Sequence, residues 1–139
     1  AMNQLPVAEF GATVVVACPP GEEHDLASLA VAYRCRVRGC RVYYLGANVP
    51  ILSLSNLCRE VAPDLTILSC TIALPDLPAS ELIHALAQEV APLSTLLAGG
   101  QGALAMRRHF TEADIDVLET FGELDEKLEQ LTRHFPIPG

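Results

Sequence analysis

The chain has 139 residues, half of them hydrophobic and 19% charged, which suits one compact domain with a buried core and excludes a disordered or fibrous segment. With 9 basic against 17 acidic residues the net charge is −8, which argues against a domain that tracks a phosphate backbone by itself. No apolar run has the length of a membrane span and the start AMNQLPVAEF lacks the basic-then-apolar pattern of a signal peptide, so a cytoplasmic location without membrane contact is expected.

Residues 1–11 read as a leader whose first positions resemble an expression-vector remnant, and 12–139 as a single domain. ATVVVAC (12–18) is the first expected strand. It breaks at Pro19-Pro20-Gly21, and Glu22-Glu23-His24 opens a helix with an apolar stripe of Leu26, Leu29, Ala30, Tyr33 and Val37. Gly39 suits the position past that helix, RVYYLG (41–46) the second strand, and Asn48 the N-cap of a second helix striped by Leu54, Leu57, Cys58 and Val61. Pro63-Asp64 breaks that helix ahead of LTILSC (65–70), and Leu82, Ile83, Leu86 and Val90 mark a third helix. STLLAG (94–99) is the fourth strand, followed by a glycine turn and a surface helix at Met106, Arg107, Arg108 and His109. IDVLE (115–119) is the fifth, and Leu124, Leu128, Leu131 and Phe135 line a last helix that PIPG stops.

Buried strands alternating with helices specify an α/β fold with a parallel sheet. Right-handed crossovers leave few topologies, and a flavodoxin-like (Rossmann-like) five-stranded parallel sheet of order 2-1-3-4-5, with helices on both faces, is expected. Ligands in such sheets bind outside the carboxyl ends of the strands, at the switch point beside the first strand, where His24 falls. The five cysteines, Cys18, Cys35, Cys40, Cys58 and Cys70, are odd in number and form no C-x-x-C pair, so reduced, buried thiols are expected.

Three polar, small-residue features share that edge: Glu22-Glu23-His24, Ser69-Cys70-Thr71, and Gly99-Gly100-Gln101-Gly102. Singly, each has a structural explanation: acids complement a helix dipole, a serine ends a strand, and glycines free a turn. No G-x-G-x-x-G follows the first strand and no P-loop or G-x-S-x-G elbow occurs, so nucleotide and hydrolase sites lack support. A receiver domain needs acids where Cys18 and Ser69 stand. The basic cluster Arg34, Arg36, Arg38 and Arg41 is favourably placed at a helix C-terminus and is a poor nucleic-acid patch in an acidic domain.

Together the three features resemble the cobalamin-binding domain family, whose motif reads D-x-H-x-x-G, 41 residues, S-x-L, 26 to 28 residues, G-G. Here residues 28 to 68 give 41, Ser69 follows, and residues 72 to 98 give 27 before Gly99-Gly100. Glu22 replaces Asp, Ala27 replaces Gly and Thr71 replaces Leu. The wording PPGEEHDLAS, RGCRVYYLGANVP and LLAGGQGA is similar to the C-terminal domain of MerR-type, light-responsive, adenosylcobalamin-dependent transcriptional repressors, over residues 12 to 120.

The resemblance implies a cobalamin-binding sensory domain, a photoreceptor in transcription regulation, holding adenosylcobalamin base-off. His24 would be the lower axial cobalt ligand and Glu22 its orienting partner. Ser69, Thr71, Gly99 and Gly100 would shape a slot for the nucleotide tail, with the Ala27 methyl crowding it. It also implies a helical bundle and a DNA-binding domain as partners, neither of which this sequence contains, no catalysis by this domain, no direct nucleic-acid contact, and a possible homo-oligomer. The alternatives are a corrinoid methyl-carrier subunit of a methyltransferase system, a degenerate association module without cofactor, and a haem-binding variant of the same fold.

Overall fold

The structure, a computed structural model, describes residues 11–134. Five parallel strands, β1 (Thr13–Ala17), β2 (Arg41–Gly46), β3 (Leu65–Ser69), β4 (Thr95–Gly99) and β5 (Asp116–Leu118), form one sheet in the order β2-β1-β3-β4-β5. The connecting helices are α1 (Leu26–Val37), α2 (Ile51–Val61), α3 (Asp76–Glu89), α4 (Gln101–Ala105) and α5 (Arg107–Glu112), and α6 (Phe121–His134) follows β5. The flavodoxin-like order expected from the sequence is therefore the observed one.

Strand alternation divides the core into two layers. Val15, Ala17, Leu68 and Ala98 face one way, onto Leu54 and Cys58 of α2, Ile83 and Leu86 of α3, and Met106 and Phe110 around α5. Val14, Val16, Leu65, Ile67 and Leu97 face the other way, onto Ala32 and Cys35 of α1 and Leu124 and Leu128 of α6. Both pleats of β1 and β3 are buried, which is why their sequences are mostly apolar; Thr66 of β3 is buried as well and donates its hydroxyl to Ser94 Oγ at 2.8 Å.

Three local expectations are corrected. The stripe of α1 is turned outward: Leu26, Leu29, Ala30, Tyr33 and Val37 are exposed, while Ser28, Ala32 and Cys35 face the sheet. Small inward side chains seat that helix close to β1. Asn48 does not cap α2, whose N-cap is Pro50; its backbone is left-handed at φ 48 and its side chain serves a different loop. Met106 is buried in the break between α4 and α5, where its sulfur accepts the Leu74 N–H at 3.5 Å, while Arg107 and Arg108 lie at the surface as expected. Gly39, at φ 84 past α1, fits its assigned place. Phe135, PIPG and most of the leader lie outside the described residues.

Two of the arginines at the end of α1, Arg34 and Arg38, bind α6. Arg34 reaches Asp125 at 2.9 Å and stacks 4.4 Å over the Phe121 ring, and Arg38 meets Asp125 and Glu129 at 3.6 and 3.4 Å. They fasten two neighbouring helices, with the helix C-terminus as a further favourable setting.

Candidate functional site at the carboxyl edge of the sheet

The loop leaving β1 is held on both sides. Toward β2, Cys18 N–H donates to Gly46 O, Val49 N–H to Cys18 O, Asn48 N–H to Glu22 O, and Gly21 N–H to Asn48 Oδ1 at 2.7 Å. Toward β3, the Glu22 side chain swings under the loop and is buried. Its Oε1 accepts the N–H groups of Thr71 and Ile72 at 2.7 and 2.9 Å, and its Oε2 takes the His24 N–H at 3.3 Å and lies 2.9 Å from His24 Nδ1.

Burial alone would raise the pKa of this carboxyl, but the hydrogen bonds from Ile72, His24 and Thr71 outweigh it and hold the group below its ordinary value. A carboxylate held ionised at neutral pH beside Nδ1 favours the tautomer with the proton there. That leaves the Nε2 lone pair free, on a side chain 58% exposed. An imidazole so mounted presents Nε2 outward, away from Glu22.

The other motif residues gather next to it. Ser69 and Gly99 are directly paired in the β3–β4 register, and Cys70 N–H donates to Gly99 O at 2.9 Å. By alternation with Ile67 and Leu97, both lie on the pleat that faces α1 and α6. The two glycines differ. A Cβ on Gly99 would meet only the Leu118 carbonyl oxygen, at an ordinary 3.9 Å, so the protein's own packing leaves room there. Gly100, at φ 102, would drive a Cβ into the Cys70 carbonyl, so the fold itself requires glycine at that position. Thr71 contributes its backbone N–H to Glu22, and Ala27 sits exposed in the first turn of α1.

Sequence reasoning missed Ile72, Ser28 and Tyr44, and gave Asn48 a different role. Ser28 Oγ donates to Asp25 O at 2.7 Å and lies 3.1 Å from Tyr44 Oη, steadying the loop's exit into α1. These contacts join positions far apart in sequence or use backbone atoms, for which no residue-type signal exists.

No group of three His, Cys, Asp or Glu side chains capable of holding a bare metal ion occurs among the described residues. The two thiols closest to Glu22 do not compete with His24. Burial pushes Cys70 up to about 12, with the Glu22 charge adding to it, and Cys18 is raised by burial too, with Glu22, Asp25 and Glu23 nearby. The single exposed imidazole fits a metal that arrives with its other ligands already in place, and the uncrowded Gly99 on the Ser69 pleat leaves room beside it.

A B12 binding domain model matches residues 12–132. The chain belongs to the B12-binding domain family. It is 33% identical over 127 residues to the HTH-type transcriptional repressor CarA of Myxococcus xanthus, covering 91% of this chain and 42% of that protein. A cobalamin-binding protein from Desulfitobacterium hafniense DCB-2 superposes with a TM-score of 0.63 at 23% identity, over 79% of this chain and 53% of that one. The Methanosarcina barkeri monomethylamine corrinoid protein gives 0.68 at 18% identity, over 91% and 61%. This B12-binding domain thus spans about half the length of these relatives. No helix among its described residues is long and apolar enough to cross a membrane.

Proposed function

We propose that this B12-binding domain is the cobalamin-sensing part of a transcriptional regulator, holding adenosylcobalamin base-off through His24 and responding to light, with no catalysis of its own. The observation that carries the reading is the buried Glu22 carboxylate on His24 Nδ1, which leaves Nε2 as a free donor at the edge where such folds bind ligands. Glu22 orients the ring and keeps its proton on Nδ1. Ser69 and Gly99 lie on the pleat between α1 and α6 and would take the nucleotide tail, while Leu52, Ile72 and Leu77, exposed at the same edge, offer apolar surface to the ring system. When bound, the cofactor would supply a cobalt–carbon bond that light can break. The regulator assignment rests on likeness to the repressor over most of this chain.

The test is the ultraviolet-visible spectrum of protein mixed in the dark with adenosylcobalamin and desalted, for wild type and His24→Ala, before and after green light. Wild type is expected to keep a histidine-ligated, base-off spectrum that changes on illumination, and the variant to lose or alter it. A colourless wild type refutes cobalamin binding by this chain, an unaltered spectrum in His24→Ala refutes the ligand, and a spectrum unmoved by light refutes the photoresponse. Turnover of methyl groups on adding a methyl donor and acceptor would replace the regulator with the methyl-carrier reading.

A further inference from the structure

We propose that the outward face of α1 is a self-association surface on which a second copy of this chain packs antiparallel. Leu26, Leu29, Tyr33 and Val37 are 80%, 47%, 70% and 66% exposed. At 3.6 residues per turn they fall within about 80° of the helix circumference, opposite Ser28 and Cys35, and so form one stripe about 18 Å long. A contiguous apolar stripe of this kind on a soluble domain marks an interaction site.

The charges around the stripe favour a copy of itself as the occupant. Asp25, just before the helix, and Arg36, in its last turn, flank the stripe on the same side and are both exposed. Arg34 and Arg38, on the other side of that turn, are already engaged by Asp125 and Glu129 on α6. When two such helices meet antiparallel about a two-fold axis, like flanks face each other, so Asp25 of each copy approaches Arg36 of the other. Leu26 then lies against Val37 of the partner copy, with Ala30 allowing the helices close approach at the centre. The opposed helix dipoles add to the match. Because α1 runs antiparallel to β1, the two carboxyl edges point away from each other and both His24 rings stay uncovered.

Four large side chains per copy fall short of the roughly 800 Å² per partner of a tight complex, so the dimer is expected to be weak and concentration-dependent. Sedimentation equilibrium of the 139-residue chain from about 5 to 500 µM tests it, with circular dichroism confirming that each variant is folded. The wild type is expected to dimerise across this range. Leu29→Glu with Tyr33→Glu should weaken the dimer at least about a hundredfold, and Asp25→Arg or Arg36→Asp alone by about tenfold at low salt. The Asp25→Arg, Arg36→Asp double variant should recover most of the wild-type affinity, and this exchange decides the matter even where the glutamate pair impairs folding. A wild type that stays monomeric to 500 µM, a dimer indifferent to the glutamates, or single charge variants that the double exchange fails to rescue would each overturn the proposal, the first handing the face to a different partner.

Discussion

Replacing Glu22 by Gln removes one charge and almost no volume, and its effect follows from the contacts of the carboxylate. The group accepts four donors, two on each oxygen: the Thr71 and Ile72 amides on Oε1, the His24 amide and ring on Oε2. A carboxamide has one oxygen, so its NH2 must face one of these donor pairs with the side chain buried. One set of hydrogen bonds is lost and buried donors are left facing a donor, for about 2–4 kcal/mol of destabilisation, or a fall in melting temperature of about 8–15 °C. Urea unfolding of wild type and Glu22→Gln between pH 7 and about pH 3 is the assay. The folded-state pKa of Glu22 is depressed below its ordinary 4.5, so the carboxylate's contribution is complete above that value. It is lost as the pH falls through the depressed value. The stability gap between the two proteins should therefore be widest at neutral pH and close in acid. A gap that stays constant across the range would mean that the ionised carboxylate does not hold the loop, and the account of the His24 mount would fail with it.

The two glycines of the turn after β4 should separate fold from binding. Gly100→Ala, forced against the Cys70 carbonyl at φ 102, is expected to cost about 2–4 kcal/mol in urea, whereas Gly99→Val should change stability by less than about 1 kcal/mol yet weaken cobalamin binding in a spectrophotometric titration at least about tenfold. If the exposed Ala27 methyl crowds the nucleotide tail as proposed, Ala27→Gly should tighten cobalamin binding by about tenfold or more, at a helix cost below about 1 kcal/mol, measured by the same titration and by melting, and unchanged affinity would remove Ala27 from the slot. All five thiols are buried, and Cys35 and Cys70 are pushed up to about 12 by burial. Native protein at pH 8 should therefore leave them essentially unreactive toward a chromogenic disulfide reagent, while the unfolded chain yields all five. Rapid labelling of the native protein would contradict that packing.

The sheet order was legible because Val14 to Ala17 and Leu65, Ile67 and Leu68 place apolar side chains on both pleats and alternate with helical periods, a pattern that few topologies satisfy. The meeting of Ser69 with Gly99 was legible too, since fixed spacings on neighbouring parallel strands fix register. The outward turn of α1 was not. Periodicity reveals a stripe, but the seat on β1 is won by Ser28, Ala32 and Cys35 because they are small, and smallness carries little hydropathy signal. Nor did residue types disclose that Glu22 reaches the amides at 71 and 72, about 50 residues away, since backbone donors are the same at every position. Asn48 was misassigned because a polar residue ahead of a helix has the composition of a cap, while its left-handed backbone and its bond to Gly21 depend on a loop brought in from β1.

The loop between β1 and α1 is bonded to the segments that leave both flanking strands, β2 and β3. It cannot reach its final shape until β2 and β3 are both in place, which makes it a late event in folding and an early casualty of partial opening. Competence to hold a cofactor therefore certifies that three strands and their crossovers have assembled correctly, and a chain damaged anywhere in that region would lose its ligand before its overall shape.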